Sequence, residues 1–166
     1  MKAIVFLNDL EGIGIRGRIP WKSHIYNRFV RDNIPGNGNN AVVMGRKTFR
    51  SFNSRPLFGV RNVVMTRNPR LYENISSDVM IESNQENVWL LNFIFEDVYI
   101  IGGSEIYQLF SPYIDTIHVF QIHNSFPCDT FFPISLEKYH KKNEKKYNEI
   151  YYSMTYTEYE KVLEEV

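Results

Sequence analysis

At 166 residues, 43% of them hydrophobic, the chain is long enough for one domain with a substantial core and too short for two ordinary ones, so a single domain over 1–166 is expected. Lys and Arg number 19 against 19 Asp and Glu, and this zero formal charge argues against steering toward nucleic acid or an anionic membrane. The lone Cys128 excludes an internal disulfide framework and makes a thiolate metal cluster implausible, which fits a reducing compartment.

Strands and helices then alternate without internal repeats. Residues 2–7 (KAIVFL) read as a strand; its five apolar residues after one Lys are too few for a signal-peptide core or a membrane span, so a cytoplasmic protein is expected. Residues 22–33 read as a helix, NIPGNGNN at 33–40 as a polar loop, 41–44 as a strand and 47–52 as a short helix. RNVVMTRN at 61–68 supplies a strand, DVMIES a short one, and QENVWLLNFI at 85–94 a helix with apolar residues at helical spacing. VYII at 98–101 is a strand and SEIYQLF at 104–110 a helix stopped by Pro112. From Asp115 the pattern changes: DTIHVFQIH and residues 147–162 look like long strands with no helix between them, and KKNEKK at 141–146 like a solvated strand end or turn. The order predicts a mostly parallel α/β sheet finished by antiparallel strands on its C-terminal side.

Two junctions carry the chemistry, AVVMGRKTF at 41–49 and VYIIGGSEIY at 98–107. In each, a run of apolar, mostly β-branched residues meets glycine and then a helical pattern, an arrangement in which main-chain amides can approach a phosphate. Gly45 is followed by Arg46, Lys47 and Thr48, two cations and a hydroxyl, while Gly102 and Gly103 together leave the main chain bare for a flat or charged ligand. Neither segment fits G-x-G-x-x-G or G-x-x-x-x-G-K-[ST], which argues against a standard dinucleotide fold or a nucleotide triphosphatase. One glycine between strand and helix is common, and a double glycine can simply relieve a tight turn. The pair, separated by a strand with RN ahead and TRN behind, is far more specific.

GIGIRGRIPW at 12–21, VVMGRKTFRSF at 42–52, RPLFG at 55–59, RNVVMTRN at 61–68, VYIIGGSEIYQLF at 98–110 and CDTFFP at 128–133 stand in the order and spacing of one family. Over essentially its whole length the chain resembles dihydrofolate reductase. The resemblance implies a three-layer α/β fold: a central eight-stranded, mostly parallel sheet with an antiparallel C-terminal strand and about four flanking helices. It implies bound NADPH and hydride transfer from its nicotinamide to a pteridine ring. Gly45, Arg46, Lys47 and Thr48 would hold the cofactor phosphates, with Thr66 and Arg67 near the adenosine 2'-phosphate. Gly102, Gly103, Ser104, Glu105, Ile106 and Tyr107 would pass under the pyrophosphate and nicotinamide, Ile13 would touch the carboxamide, and Thr130 would contact the cofactor. The segment from Gly14 to Trp21 matches the mobile loop that closes over the nicotinamide. Ile4, Val5, Phe6, Tyr26, Val30, Phe52, Leu57, Ile101 and Phe120 would line the substrate slot, and Trp21 would bond a water at the substrate's edge. The expected partner is one small-molecule substrate, with neither nucleic acid nor membrane nor metal, and the expected state a monomer.

The substrate half departs from the family pattern. The family has an Asp or Glu five residues after the tryptophan of its PW pair, where a buried anion favours the protonated ring; here that position is Tyr26, a neutral phenol. The small hydroxyl residue that bonds that carboxylate counts back to Phe120. Val5 and Phe6 stand where the family's first strand carries small residues, so the slot looks narrowed. The arginine that forks onto the glutamate tail of folate is replaced by Val60, and alternation should turn the adjacent Arg61 to the opposite face. Losing such a charge-assisted bond costs roughly 1.5–3 kcal/mol.

Three readings follow. One is a divergent dihydrofolate reductase in which water delivers the proton and Tyr26 orients the ring. Another is an NADPH-dependent reductase of a smaller or less polar substrate held by Phe6, Tyr26 and Phe120. The last is a non-catalytic NADPH-binding module. Other candidate acids fare poorly. Asp32 lies six residues past Tyr26, well round the helix, and His24 two residues before it faces elsewhere. Asp9 and Glu11 read as solvated loop charges. His118 and His123, five apart on a strand, face opposite ways and make no metal pair. Cys128, where the family usually has glycine, reads as a buried small residue and not a nucleophile.

Overall fold

The computed structural model describes residues 1–21, 28, 30, 32, 34, 36–52, 54–72, 74–75 and 77–164. One eight-stranded sheet organises them. Its strands are β1 (Lys2–Asn8), β3 (Asn40–Gly45), β4 (Arg61–Met65), β5 (Val79–Glu82), β6 (Asp97–Gly102), β7 (Thr116–Ile122), β9 (Tyr139–Asn148) and β10 (Ser153–Lys161), in the order β5-β4-β3-β6-β1-β7-β10-β9. The pairs from β5 through to β7 are parallel, and β10 runs antiparallel to both its neighbours. This is the predicted architecture. A small second sheet, which the sequence reading did not foresee, pairs β2 (Gly12–Gly14) with β8 (Thr130–Phe131).

The strand cores AVVM, NVVM and VYII are buried on both faces, as parallel strands covered by helices must be. Alternation sorts their side chains into two clusters. Ala3, Val5 and Leu7 of β1 join Val88 of α2 (Gln85–Trp89) and Ile106, Tyr107 and Phe110 of α3 (Ser104–Phe110). Ile4 and Phe6 join Trp21, Val30, Ile34 and Phe49 of α1 (Arg46–Ser51) on the other face. The expected helix at 22–33 lies mostly outside the described residues, of which Arg28, Val30 and Asp32 are helical. The 85–94 segment is α-helical only from Gln85, after the Asn84 cap, to Trp89; Leu90–Phe93 then tightens to a 3-10 turn, and the Leu91 carbonyl accepts from both Ile94 and Phe95.

The C-terminal third needs a correction. KKNEKK is neither a strand end nor a turn but the middle of β9, and the strand expected over 147–162 is interrupted at 149–152, where Glu149 N–H bonds the Tyr152 carbonyl. β9 is the sheet's edge, where charged side chains reach water and lysines discourage further pairing. Its register with β10 shifts between Glu158 and Tyr159, leaving Lys142 as the extra residue.

Candidate active site

The parallel strands β1, β3, β4, β6 and β7 end on one edge of the sheet, and the two glycine junctions meet there. β3 and β6 are neighbours with Met44 opposite Gly102, so Gly45 at the head of α1 adjoins Gly102 and Gly103 at the head of α3. A Cβ on Gly45 would lie 3.2 Å from Ile106 Cγ1 and 3.7 Å from the Gly103 nitrogen. One on Gly102, whose φ is +123°, would lie 3.3 Å from Thr48 Oγ1 and 3.4 Å from Tyr107 Oη. The Gly102–Gly103 peptide is cis. Glycine at these positions keeps open a main-chain seam into which the Thr48 hydroxyl projects, and side chains would close it. Tyr107 ties the seam to β1 by donating its buried hydroxyl to the Ile4 carbonyl at 2.6 Å.

Cations flank the seam. Arg46 and Lys47 open α1, and Arg67, two residues past β4, is exposed and bridged to Glu105 in the first turn of α3 at 3.5 Å. Thr66 is fastened by its N–H to the Glu82 carbonyl, and its hydroxyl accepts from Asn68 N–H. Ser104 is half-buried beside Gly103 at the start of α3.

The segment after β1 is tied down at several points. Buried Asn8 accepts from Leu10 and Gly12 N–H and donates to the Phe126 carbonyl. Asp129 accepts from Arg16 N–H at 2.9 Å and from the Thr130 hydroxyl at 2.8 Å, while its own N–H bonds the Gly14 carbonyl. These bonds, Arg16 first, hold its carboxyl below the usual range. The β2–β8 pairing sets Thr130 opposite Gly14. Gly17, at φ +74°, comes near Lys47, and Ile13 packs on the cluster that holds Tyr107. Thus the loop reaches from the β8 side toward the first glycine junction.

The opposite cluster supplies an aromatic face. Phe6 and Phe120 are register partners on β1 and β7, and the Trp21 ring stands edge-on to Phe6 at 5.8 Å. Ile4, Val30 and Ile101 are buried with them, and Phe52, Leu57 and Val60 pack at the margin. Val5 is corrected here: its side chain lies in the other cluster, with Ile106 and Tyr107, so only Phe6 of the pair narrows this face. Tyr26 and His24 lie outside the described residues. Asp32 is exposed. Among the described residues the buried polar side chains are Asn8, Asn40, Asn62 and Thr157, none of them a carboxylate. Trp21 Nε1 is buried without a hydrogen-bond partner among the described residues, a donor still to be satisfied.

The dihydrofolate reductase family model matches residues 1–161. This chain belongs to the dihydrofolate reductase family. The dihydrofolate reductase of Staphylococcus haemolyticus is 33% identical over 132 residues, spanning 79% of this chain and 75% of that protein. That of Lactococcus lactis subsp. lactis is 28% identical over 168 residues, spanning 95% and 96%. In structure the chain is similar to the dihydrofolate reductase from Enterococcus faecalis complexed with NADP(H) and RAB-propyl, with a TM-score of 0.81 and 26% identity, covering 96% of this chain and 95% of that one.

Within this dihydrofolate reductase scaffold several contacts escaped the sequence reading. Asp9 is no free loop charge: its carboxylate accepts from Gln121 Nε2 at 2.8 Å and meets His123 Nδ1 at 2.9 Å, while His123 Nε2 lies 2.8 Å from Thr155 Oγ1. His123 stands just past β7, not on it. Asn62 clamps the RPLFG turn, exchanging two bonds with Leu57 and donating a third to the Val60 carbonyl. Such pairings join residues far apart in sequence or depend on a turn's shape, and only the polar residue in an apolar run hinted at Asn8 and Asn62. His118 bonds Tyr156 Oη at 2.9 Å, and burial lowers its pKa to about 4. Cys128 is half-buried beside Gly12, and burial pushes its thiol up, away from the reactive thiolate. Val60 packs with the aromatic face while Val63 and Met65 join the other cluster, so by parity Arg61 belongs to the far side.

Proposed function

We propose that this chain reduces 7,8-dihydrofolate to tetrahydrofolate with NADPH as hydride donor. The observation that carries the reading is the seam formed by Gly45, Gly102 and Gly103, where a Cβ at either of the first two positions would crowd Ile106, Thr48 or Tyr107. NADPH, when bound, supplies the hydride. Gly45, Arg46, Lys47 and Thr48 would hold its phosphates, Thr66 and Arg67 would receive the 2'-phosphate, and the main chain from Gly102 to Tyr107 would support the pyrophosphate and nicotinamide. Ile13 and Thr130 bring the loop to the cofactor, and the loop excludes water from the reacting atoms.

The pterin ring lies against β1 near Ile4 and Phe6, with Phe120, Val30, Phe52, Leu57 and Ile101 around it. Trp21 Nε1 donates to a water at the ring's edge, Tyr26 orients the ring, and solvent delivers the proton, since none of the described buried side chains is a carboxylate. On this reading the chain is a single domain acting as a cytoplasmic monomer in one-carbon metabolism.

A second reading, reduction of a smaller, less polar substrate, is favoured by one observation: Phe6 and Phe120 are paired bulky rings on the same face. Chromatography of the product after incubation with NADPH and dihydrofolate separates the two. Stoichiometric tetrahydrofolate supports the first reading. Intact dihydrofolate, in a sample that binds NADPH, overturns the first, and NADPH oxidation by a smaller electrophilic ring or carbonyl then supports the second.

A further inference from the structure

Arg67 and Glu105 come from different elements, the loop after β4 and the first turn of α3, and meet at 3.5 Å across the end of β3. Their side chains are 93% and 82% exposed, so no packing holds the pair together, and an anion stronger than a carboxylate can displace Glu105 without disturbing the core. Glu105 remains anchored by α3 beside the guanidinium after it is displaced. Its charge then acts against any phosphate that replaces it.

We infer that Glu105 competes with the cofactor's 2'-phosphate for Arg67 and so limits the preference for NADPH over NADH. This rests on the reading above, in which the cofactor is NADPH and Arg67 receives that phosphate. A phosphate brings nearly two negative charges and three acceptor oxygens to a guanidinium that can bind them in a fork, so it wins the contact. The penalty is Coulomb repulsion from the displaced carboxylate, which falls as salt rises. NADH lacks the 2'-phosphate and escapes most of it. Two other roles for Glu105 predict differently. As a partner that orients Arg67, its loss would weaken NADPH binding. As an acid favouring the α3 dipole, its loss would lower the melting temperature and leave cofactor choice alone.

The test is fluorescence titration of the full chain with NADPH and NADH at low and high salt, for wild type, Glu105→Gln, Arg67→Gln and the double variant. Glu137→Gln, an exposed acid in the 3-10 turn before β9, makes the same change in net charge elsewhere. Glu105→Gln should tighten NADPH about threefold to tenfold at low salt and less at high salt, leaving NADH nearly unchanged. The gain should vanish in the Arg67→Gln background, and Glu137→Gln should show none. Unchanged or weaker NADPH binding by Glu105→Gln, or a gain that survives without Arg67, overturns the inference. A folded wild type that binds neither nucleotide overturns the cofactor reading itself.

Discussion

The Thr48 hydroxyl lies 3.3 Å from the point where a Cβ would project from Gly102, although the two residues come from separate strand–helix junctions. This places α1 and α3 on one seam. Gly102→Ala should therefore fail twice. Its φ of +123° is strained for alanine, and the methyl would press on Thr48 and Tyr107. We expect a loss of about 1–3 kcal/mol in denaturant unfolding and NADPH binding weakened by roughly tenfold or more in fluorescence titration. Gly38→Ala is the control: φ is +83° but nothing lies within 4 Å, so it should cost stability alone.

His118 makes stability acid-sensitive. Burial lowers its pKa to about 4, so the folded state keeps it neutral while the unfolded chain takes up a proton below about 6.5. Stability should fall as pH drops from about 6.5 toward 4, by at most about 3 kcal/mol, and be unaffected by this group above that window. His118→Gln, which can still bond Tyr156, should flatten that part of the profile. Urea unfolding at pH 7 and pH 5 checks it, and equal slopes for the two proteins would count against the assignment.

Asp129 fixes the loop through Arg16 N–H. Asp129→Ala removes that acceptor while β7 and the sheet core stay in place. Steady-state kinetics should show kcat lowered by roughly tenfold, with an unchanged circular dichroism spectrum. Full activity would mean that the loop's closure does not depend on this tie.

Much of this was legible in local signals. Runs such as AVVM and VYII, each ended by glycine, announce buried strands and bare main chain without reference to the rest of the fold. The bond from Asp9 to His123 was not legible, because it joins residues on separate strand ends that only the β1–β7 register brings together. KKNEKK misled because its charges suit a turn as well as an edge strand, and only the sheet order distinguishes them. Val5 was a different kind of miss: its neighbour Phe6 already fixed its parity, and alternation alone assigns them to opposite faces.

Tyr26 carries the sharpest chemical prediction. If the chain reduces dihydrofolate with a proton from solvent, Tyr26→Asp should raise turnover and impose a new ionisation on the pH–rate profile, because a carboxylate there favours the protonated ring. An unchanged or lower rate at every pH would show that this position does not govern protonation.

The measurement closest to the central claim is NADPH oxidation by the purified protein, with and without dihydrofolate, followed across pH. The account predicts oxidation that depends on dihydrofolate and slows as pH rises, as protonation from solvent requires. NADPH binding without dihydrofolate-dependent oxidation at any pH would contradict it.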